Sequence, residues 1–223
     1  MYFLSKLWKT LLDFIFPKSQ EVLILESLST KDIVDILPTA ETPRAKEIMA
    51  LFDYSHKLTK EMIWELKYNG NKILAEKFGE IIYNTIYQEL NERNFFTNLV
   101  GQTERPIIIP IPISDKRRLQ RGWNQTELLL DGLKKTDVEH RFKYLPRQLI
   151  KVIHTESQTR TSNKTERSEN IQNTMAILNP HTVSGRYVIV IDDVTTTGST
   201  FLEAKRALKE AGAKEVFCIA IAH

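Results

Sequence analysis

Residues 187–200 read YVIVIDDVTTTGST, and this stretch decides the fold that the sequence predicts. The run Val188 to Ile191 has the length and the β-branched side chains of a buried strand. Two carboxylates, Asp192 and Asp193, follow it directly, and a helical pattern begins after a short polar loop. A buried strand that leads through a loop into a helix is the repeating unit of α/β proteins.

The loop after this strand combines groups that suit a phosphorylated sugar. Carboxylates at the carboxyl end of a strand can bind sugar hydroxyls or a hydrated metal ion. A loop of hydroxyl side chains and one glycine that opens a helix offers amide groups and a positive dipole end to phosphate. The residues of this loop are Thr195, Thr196, Thr197, Gly198, Ser199 and Thr200. Each half alone is common as a solvated turn or an ordinary helix cap; together they favour a site for a phosphorylated ribose.

The composition is that of an ordinary globular chain and narrows the function only by exclusion. The 223 residues are 42% hydrophobic and 26% charged, and the net charge of +3 is too small to indicate nucleic-acid binding. The single cysteine, Cys218, excludes a disulfide framework and a cysteine-rich zinc site, and it is typical of a cytoplasmic protein. We expect no transmembrane segment, because no apolar run reaches the required length.

Strand and helix patterns alternate along the rest of the chain. Strands are expected over 107–111, 148–153 and 216–222, and helical patterns over 46–90 and 201–211. This alternation predicts an α/β fold, with a mainly parallel sheet flanked by helices in one domain over 46–223. Residues 1–45 form a small N-terminal segment. Its first seventeen residues have an amphipathic pattern that predicts a helix. This helix either packs on the protein itself or lies on a membrane surface.

Basic and polar residues follow two further strands and are expected to reach the same edge of the sheet. A basic loop after the second strand either binds pyrophosphate or is a solvated charge run; its candidate residues are Ser114, Lys116, Arg117, Arg118 and Arg121. A polar segment over 154–170 either folds over the substrate as a flexible loop or stays on the surface; its candidate residues are Gln158, Arg160, Arg167 and Asn170. Lys67, at the end of a helical pattern, is interpreted as a solvated lysine in preference to a phosphate ligand.

The stretch over 187–200 resembles the phosphoribosyl pyrophosphate (PRPP) signature of type I phosphoribosyltransferases. From about Tyr54 to His223 the chain resembles the ComF family of phosphoribosyltransferase-like proteins, which is associated with competence for DNA uptake. The motifs that carry this resemblance are Leu66-Lys67-Tyr68 with Gly70, Ile109-Pro110-Ile111-Pro112, Arg121-Gly122-Trp123-Asn124-Gln125, Gln158 with Arg167 and Asn170, and Ala211-Gly212-Ala213. Trp123 stands where the family has phenylalanine.

The resemblance implies the type I phosphoribosyltransferase fold, PRPP binding and a Mg²⁺ cofactor. It assigns catalysis and the metal to Asp192 and Asp193, the 5-phosphate to the loop over 195–200, and pyrophosphate to Arg121 and its neighbours. The implied reaction transfers phosphoribosyl to an unidentified nucleobase or amine with release of pyrophosphate, in nucleotide salvage or DNA uptake.

Other readings of the resemblance stay open. The chain is alternatively a non-catalytic sensor of PRPP or a nucleotide, or an accessory protein of competence that binds single-stranded DNA. Competence proteins or a second copy of the chain are its candidate partners. Family members usually carry a four-cysteine zinc module just after a Phe-Pro pair. Phe16-Pro17 is present, but residues 19–45 contain no cysteine, so no zinc is expected.

Overall fold

The structure is a computed structural model that describes residues 18–41, 48–93, 95, 105–152 and 173–223. The helix expected over residues 1–17 lies outside these ranges. The expected flexible-loop residues Gln158, Arg160, Arg167 and Asn170 also lie outside them, as does the side chain of Lys116. Within the described part, five parallel strands form one sheet, which confirms the α/β fold with a mainly parallel sheet.

The strands alternate with helices along the chain. The strands are β1 (Ile48–Phe52), β2 (Ile107–Pro110), β3 (Lys143–Tyr144), β4 (Leu149–Lys151), β5 (Met175–Ile177), β6 (Tyr187–Val194) and β7 (Glu215–Ala222). The helices are α1 (Gln20–Ser27), α2 (Thr30–Ile36), α3 (Lys57–Trp64), α4 (Lys72–Glu92), α5 (Asp115–Arg121), α6 (Gln125–Thr136) and α7 (Ser199–Glu210). A π-helical turn (Glu65–Asn69) continues α3, and a 3₁₀ turn spans Pro180–Thr182. No helix in the described ranges is long and apolar enough to cross a bilayer.

The order of strands in the sheet is β1-β7-β6-β2-β3, while β4 and β5 form a separate antiparallel ribbon. β6 lies in the middle, and its side chains alternate between two apolar layers. Val188 and Val190 pack in the layer that contains residues of α7 and of the ribbon. Ile189 and Ile191 pack in the opposite layer, which contains residues of α3, α4 and α6. Burial on both faces explains why this strand is an uninterrupted apolar run.

The longest helix, α4, packs on α6 through two glycines. A Cβ atom on Gly79 would lie 2.5 Å from the carbonyl carbon of Gly132, and one on Gly132 would lie 2.6 Å from the carbonyl oxygen of Ala75. The two backbones are therefore in direct contact where the helices meet. This contact fixes the position of α6, which follows the motif containing Trp123.

Two sequence-based expectations about local structure are wrong. The segment from 48 to 52 is strand β1, whereas a helical pattern was expected over 46–90. The basic segment after β2 is helix α5, whereas a loop was expected. In α7, Leu202 is 53% exposed, because the buried stripe of this helix runs through Phe201, Ala204 and Leu208.

Candidate functional site

The two carboxylates lie near the carboxyl end of the central strand. The sequence suggested that Asp192 and Asp193 follow the strand. In the structure β6 runs to Val194, so both residues are part of the strand. Both are nearly buried, with 8% and 4% of their surface exposed. Strand alternation directs Asp192 toward the layer of α7 and the ribbon, and Asp193 toward the layer of α3 and α4. The pair therefore presents one carboxylate on each face of the sheet.

Asp193 faces a lysine that the sequence interpretation left on the surface. Its Oδ1 accepts a hydrogen bond of 2.8 Å from the amide of Val194. Its buried Oδ2 lies 3.3 Å from the ammonium of Lys67, within ion-pair distance. The same Oδ2 has no partner with hydrogen-bond geometry among the described residues. Because the contact is electrostatic and lacks a directed hydrogen bond, this oxygen retains the capacity to bind a further group.

Asp192 lies on the other face of the sheet and is also nearly buried. Its Oδ1 accepts a hydrogen bond of 2.8 Å from the amide of Asp193. Burial raises the pKa of Asp192 well above its usual range, and the neighbouring Asp193 carboxylate raises it further. Lys151 in the ribbon interacts with this carboxylate and with Arg117. Partial burial, followed by the charge of Arg117, lowers the pKa of Lys151, while Asp192 opposes that shift.

The turn between β6 and α7 has the glycine and hydroxyl arrangement that a phosphate site needs. Gly198 has φ +76°, and a Cβ atom there would lie 2.8 Å from Cδ1 of Ile48, so this position requires glycine. The hydroxyls of Thr197 and Ser199 are 2.7 Å apart at the first turn of α7. The imidazole of His223 lies 2.9 Å from the carbonyl oxygen of Thr196. His223, to which the sequence gave no role, thus contacts this turn.

The other predicted residues of the turn lie beside these. Thr195 is buried, and its amide donates to the carbonyl oxygen of Ala222 at 2.9 Å. Thr200 follows Ser199 in the first turn of α7 and is partly buried. The turn therefore directly adjoins the carboxylates of β6, and all six of its predicted residues are at the start of α7 or immediately before it.

The predicted pyrophosphate residues do not act as one group. Ser114 caps α5 through a hydrogen bond of 3.4 Å from the amide of Arg117. Arg118 forms an ion pair of 2.5 Å with Glu127 of α6. Arg121 donates to Gln125 at 3.1 Å, and its guanidinium lies over the ring of Tyr68. Among the described side chains of this segment, Arg117 contributes charge near Lys151 of the ribbon.

The motifs around Lys67 and Trp123 contact each other directly. The indole Nε1 of Trp123 donates to the carbonyl oxygen of Leu66 at 3.0 Å. The indole ring also lies close to Gly70, because a Cβ atom on that glycine would be 3.0 Å from Cε2 of Trp123. Sequence reasoning could not pair these motifs, since 57 positions separate Trp123 from Leu66. Their contact supports the π-helical turn that carries Lys67.

We expect Trp123→Phe to lower the free energy of unfolding by about 1–2 kcal/mol, because it removes the hydrogen bond to Leu66 and part of a half-buried ring. Chemical denaturation of both proteins measures this difference. Trp64→Phe, on a half-exposed residue of α3, is the matched control and should change stability by less than about 0.5 kcal/mol. Equal effects of the two changes would show that the indole contact does not stabilise the turn.

An internal ion pair holds the ribbon that carries Lys151. Glu203 of α7 is 4% exposed and accepts a hydrogen bond of 3.0 Å from the amide of Met175. Arg206 binds the same carboxylate at 2.8 Å and donates to the carbonyl oxygen of Met175 at 2.9 Å. Burial opposes ionisation of Glu203, but the hydrogen bonds from Arg206 and Met175 hold its pKa below the usual range. The sequence shows only a helical Glu and Arg three positions apart, so their partner in the ribbon could not be inferred.

A cavity of about 320 Å³ lies away from this site. Its lining includes Tyr187 and Glu215, which begin β6 and β7, and Arg93 at the end of α4. It therefore opens at the amino ends of the strands, while the carboxylates lie at the carboxyl ends. In parallel α/β sheets ligands bind at the carboxyl ends, so the position of the cavity does not make it the candidate site.

Comparisons with known proteins agree with this geometry. Residues 136–223, which include the acidic pair and the turn, match the family described as "Phosphoribosyl transferase domain". Competence protein F of Haemophilus influenzae is 33% identical over 111 residues, covering 49% of this chain and 46% of that protein. Competence protein ComFC of Streptococcus pneumoniae is 26% identical over 168 residues, covering 75% and 64%.

DNA utilization protein YhgH of Escherichia coli K12 is 27% identical over 187 residues, which cover 79% of this chain and 73% of that protein. The chain spans less than two thirds of the length of the two competence proteins. The relatives and the domain match confirm the resemblance that the motifs indicated. The chain is thus similar in sequence to the ComF family of phosphoribosyltransferase-like proteins.

Proposed function

We propose that this chain binds PRPP with Mg²⁺ and transfers its phosphoribosyl group to a nucleobase or amine. One observation carries the proposal. Two nearly buried carboxylates precede a glycine-containing turn that opens a helix, and lysines from two other elements, Lys67 and Lys151, interact with them. A sugar site and an anion site are thereby contiguous, as PRPP requires.

Each part of PRPP has a matching group in this arrangement. Asp192 and Asp193 accept hydrogen bonds from the ribose hydroxyls. The 5-phosphate accepts hydrogen bonds from the first amides of α7 and from the hydroxyls of Thr197 and Ser199. The pyrophosphate group lies toward Lys151 and Arg117, whose charges balance those of its oxygens. Lys151 takes over part of the role that the sequence assigned to Arg118 and Arg121.

The donor set suits Mg²⁺ that is held mainly by the substrate. Among the described residues, no group of three or more His, Cys, Asp or Glu side chains could hold a metal by itself. Mg²⁺ commonly uses one or two carboxylates together with substrate phosphates and water. Asp193 Oδ2, without a hydrogen-bond partner, is the oxygen best suited to this role. When bound, the ion neutralises charge on the pyrophosphate.

In the proposed reaction the bond between ribose C1 and the pyrophosphate oxygen breaks, and its electron pair leaves with pyrophosphate. The acceptor nitrogen forms a new bond to C1 and releases its proton to solvent. Positive charge develops on C1 and the ring oxygen during this step. The carboxylates of Asp192 and Asp193 stabilise that charge at fixed positions, and Lys151 with Arg117 stabilises the departing anion.

The names of the relatives suggest where the activity belongs. They are competence and DNA utilization proteins, so we propose that this chain acts in the cytoplasm on nucleotides connected with DNA uptake. The same site would also serve a protein that binds PRPP without turnover. In that second candidate function, PRPP occupancy regulates interaction with DNA or with competence proteins.

Calorimetric titration of PRPP in the presence of Mg²⁺ tests the proposal, with ribose 5-phosphate as the control ligand. We expect a dissociation constant in the range of about 1 µM–1 mM for PRPP, and weaker binding of ribose 5-phosphate. A pyrophosphate-release assay with a panel of nucleobases and amines then separates transfer from binding alone. Absence of PRPP binding, with and without Mg²⁺, would refute both functions, whereas binding without release would favour the second.

A further inference from the structure

Lys67 reaches the acidic pair from an unusual backbone turn. It lies in the π-helical turn Glu65–Asn69, and its ammonium is 3.3 Å from Oδ2 of Asp193. Its side chain is 22% exposed and that of Asp193 is 6% exposed, so the pair is largely shielded from water. Single π-helical turns are rare in proteins overall, and many of those that occur lie at functional sites. This turn alters the helical spacing at the point where Lys67 reaches toward β6.

The position of Lys67 is built into the fold from three directions. Gly70 ends the turn in the left-handed conformation, with φ +57°. Glu65 is 3% exposed and accepts hydrogen bonds from Asn69 at 2.6 Å and from Asn71 at 3.0 Å. Trp123 donates to Leu66 from the opposite side. A lysine that merely covered the surface would not need a buried carboxylate, an indole and a glycine to fix its backbone.

The charge balance of the site explains what this lysine does. Two nearly buried carboxylates repel a ligand that is itself a polyanion. Lys67 offsets one of these charges at ion-pair distance from Asp193, whereas Lys151 acts on Asp192 from the ribbon. The charge belongs to the protein, so it is present whether or not a divalent ion accompanies the ligand.

We propose that Lys67 is the resident counter-charge of the acidic pair and gives this site affinity for phosphoribosyl pyrophosphate even without Mg²⁺. The inference rests on the proposed function, which supplies the ligand. Lys67 acts through Asp193: it holds that carboxylate in place and offsets its charge while the carboxylate accepts the ribose hydroxyls. It is a positioning residue, because its own contact in the structure is with the carboxylate.

Titration calorimetry with PRPP, in buffer with EDTA and in buffer with Mg²⁺, tests this role. Wild-type protein should bind PRPP in both buffers. Lys67→Met should lose affinity about tenfold to a hundredfold in EDTA, as expected for one charge-assisted contact. In Mg²⁺ the loss should be less than about threefold, because the metal supplies the missing charge. Lys67→Arg should retain most of the affinity in EDTA.

Lys72→Met, on an exposed lysine at the start of α4, is the matched control and should leave both affinities unchanged. Equal losses for Lys67→Met in the two buffers would overturn the inference, because a structural defect does not depend on the metal. An unchanged affinity in EDTA would also overturn it. If wild-type protein binds PRPP in neither buffer, the proposed function itself fails, and that result differs from both of the others.

Discussion

Gly79→Ala is expected to lower the free energy of unfolding by about 2 kcal/mol, although alanine is the better helix former. In an exposed helix this change would add about 1 kcal/mol of stability. Here the new methyl group would lie 2.5 Å from the carbonyl carbon of Gly132 and 2.7 Å from its Cα atom. Both are backbone atoms of α6, which cannot rotate away as a side chain would. Forced separation of packed elements costs about 1–3 kcal/mol and occasionally more.

Urea denaturation followed by circular dichroism measures this effect. Asn84→Ala, on the exposed side of the same helix, is the control and should be neutral or slightly stabilising. Gly132→Ala should repeat the loss from the other side of the contact, because its methyl group would lie 2.6 Å from the carbonyl oxygen of Ala75. A Gly79→Ala protein as stable as the wild type would mean that α4 and α6 are further apart in solution than in the structure.

The sequence predicted the central part of the fold because local chemistry determines it. β6 is buried on both faces, so its residues had to be apolar throughout, and this pattern is visible without a structure. The five residues of β1, IMALF, are also apolar throughout, but Met, Ala and Leu are strong helix formers, so the segment was grouped with the helical pattern that follows it. It becomes a strand by pairing with β7, where Ile48 is opposite Cys218. That pairing spans most of the chain.

Helix α5 was missed for a different reason. Its sequence, DKRRLQR, has no apolar face, so the helical period that sequence reasoning relies on is absent. The signals that were available lie at its ends. Ser114 accepts a hydrogen bond at the start, and Gly122, with φ +82°, follows the last residue. A serine followed eight positions later by glycine marks a short helix even when nothing between them is apolar.

The candidate site was only half visible in the sequence. Asp192, Asp193 and the turn after them are contiguous, so their joint chemistry could be inferred from residue types alone. Lys67 and Lys151 come from distant segments, and each resembles any surface lysine until the fold brings it near the pair. Their roles depend on burial of the carboxylates, which no local pattern encodes. A short sequence motif therefore predicts the acidic residues of such a site better than it predicts the lysines that balance their charge.

Asp192→Asn is expected to weaken PRPP binding about tenfold to a hundredfold and, at the same time, to stabilise the protein at neutral pH. The affinity falls because the amide loses the charge that accepts a ribose hydroxyl and stabilises developing positive charge at C1. Calorimetric titration in Mg²⁺ measures this loss. Asp131→Asn makes the same chemical change on an exposed helical residue and should leave the affinity unchanged.

The gain in stability follows from the raised pKa of Asp192, which burial causes first and Asp193 second. The pKa of this carboxyl group is higher in the folded protein than its unfolded value of about 3.9. Its contribution to the free energy of unfolding is therefore fully present below the unfolded pKa and is lost as the pH rises through the folded pKa. Asparagine stays neutral and avoids this loss, while its oxygen still accepts the amide of Asp193. We therefore expect the variant to exceed the wild type by about 0.5–2 kcal/mol at pH 7, and by less at pH 4.5. If the variant is less stable than the wild type at pH 7, the ionised carboxylate of Asp192 is well solvated or well paired. In that case the charge of Asp192 does not destabilise the protein in the absence of its ligand.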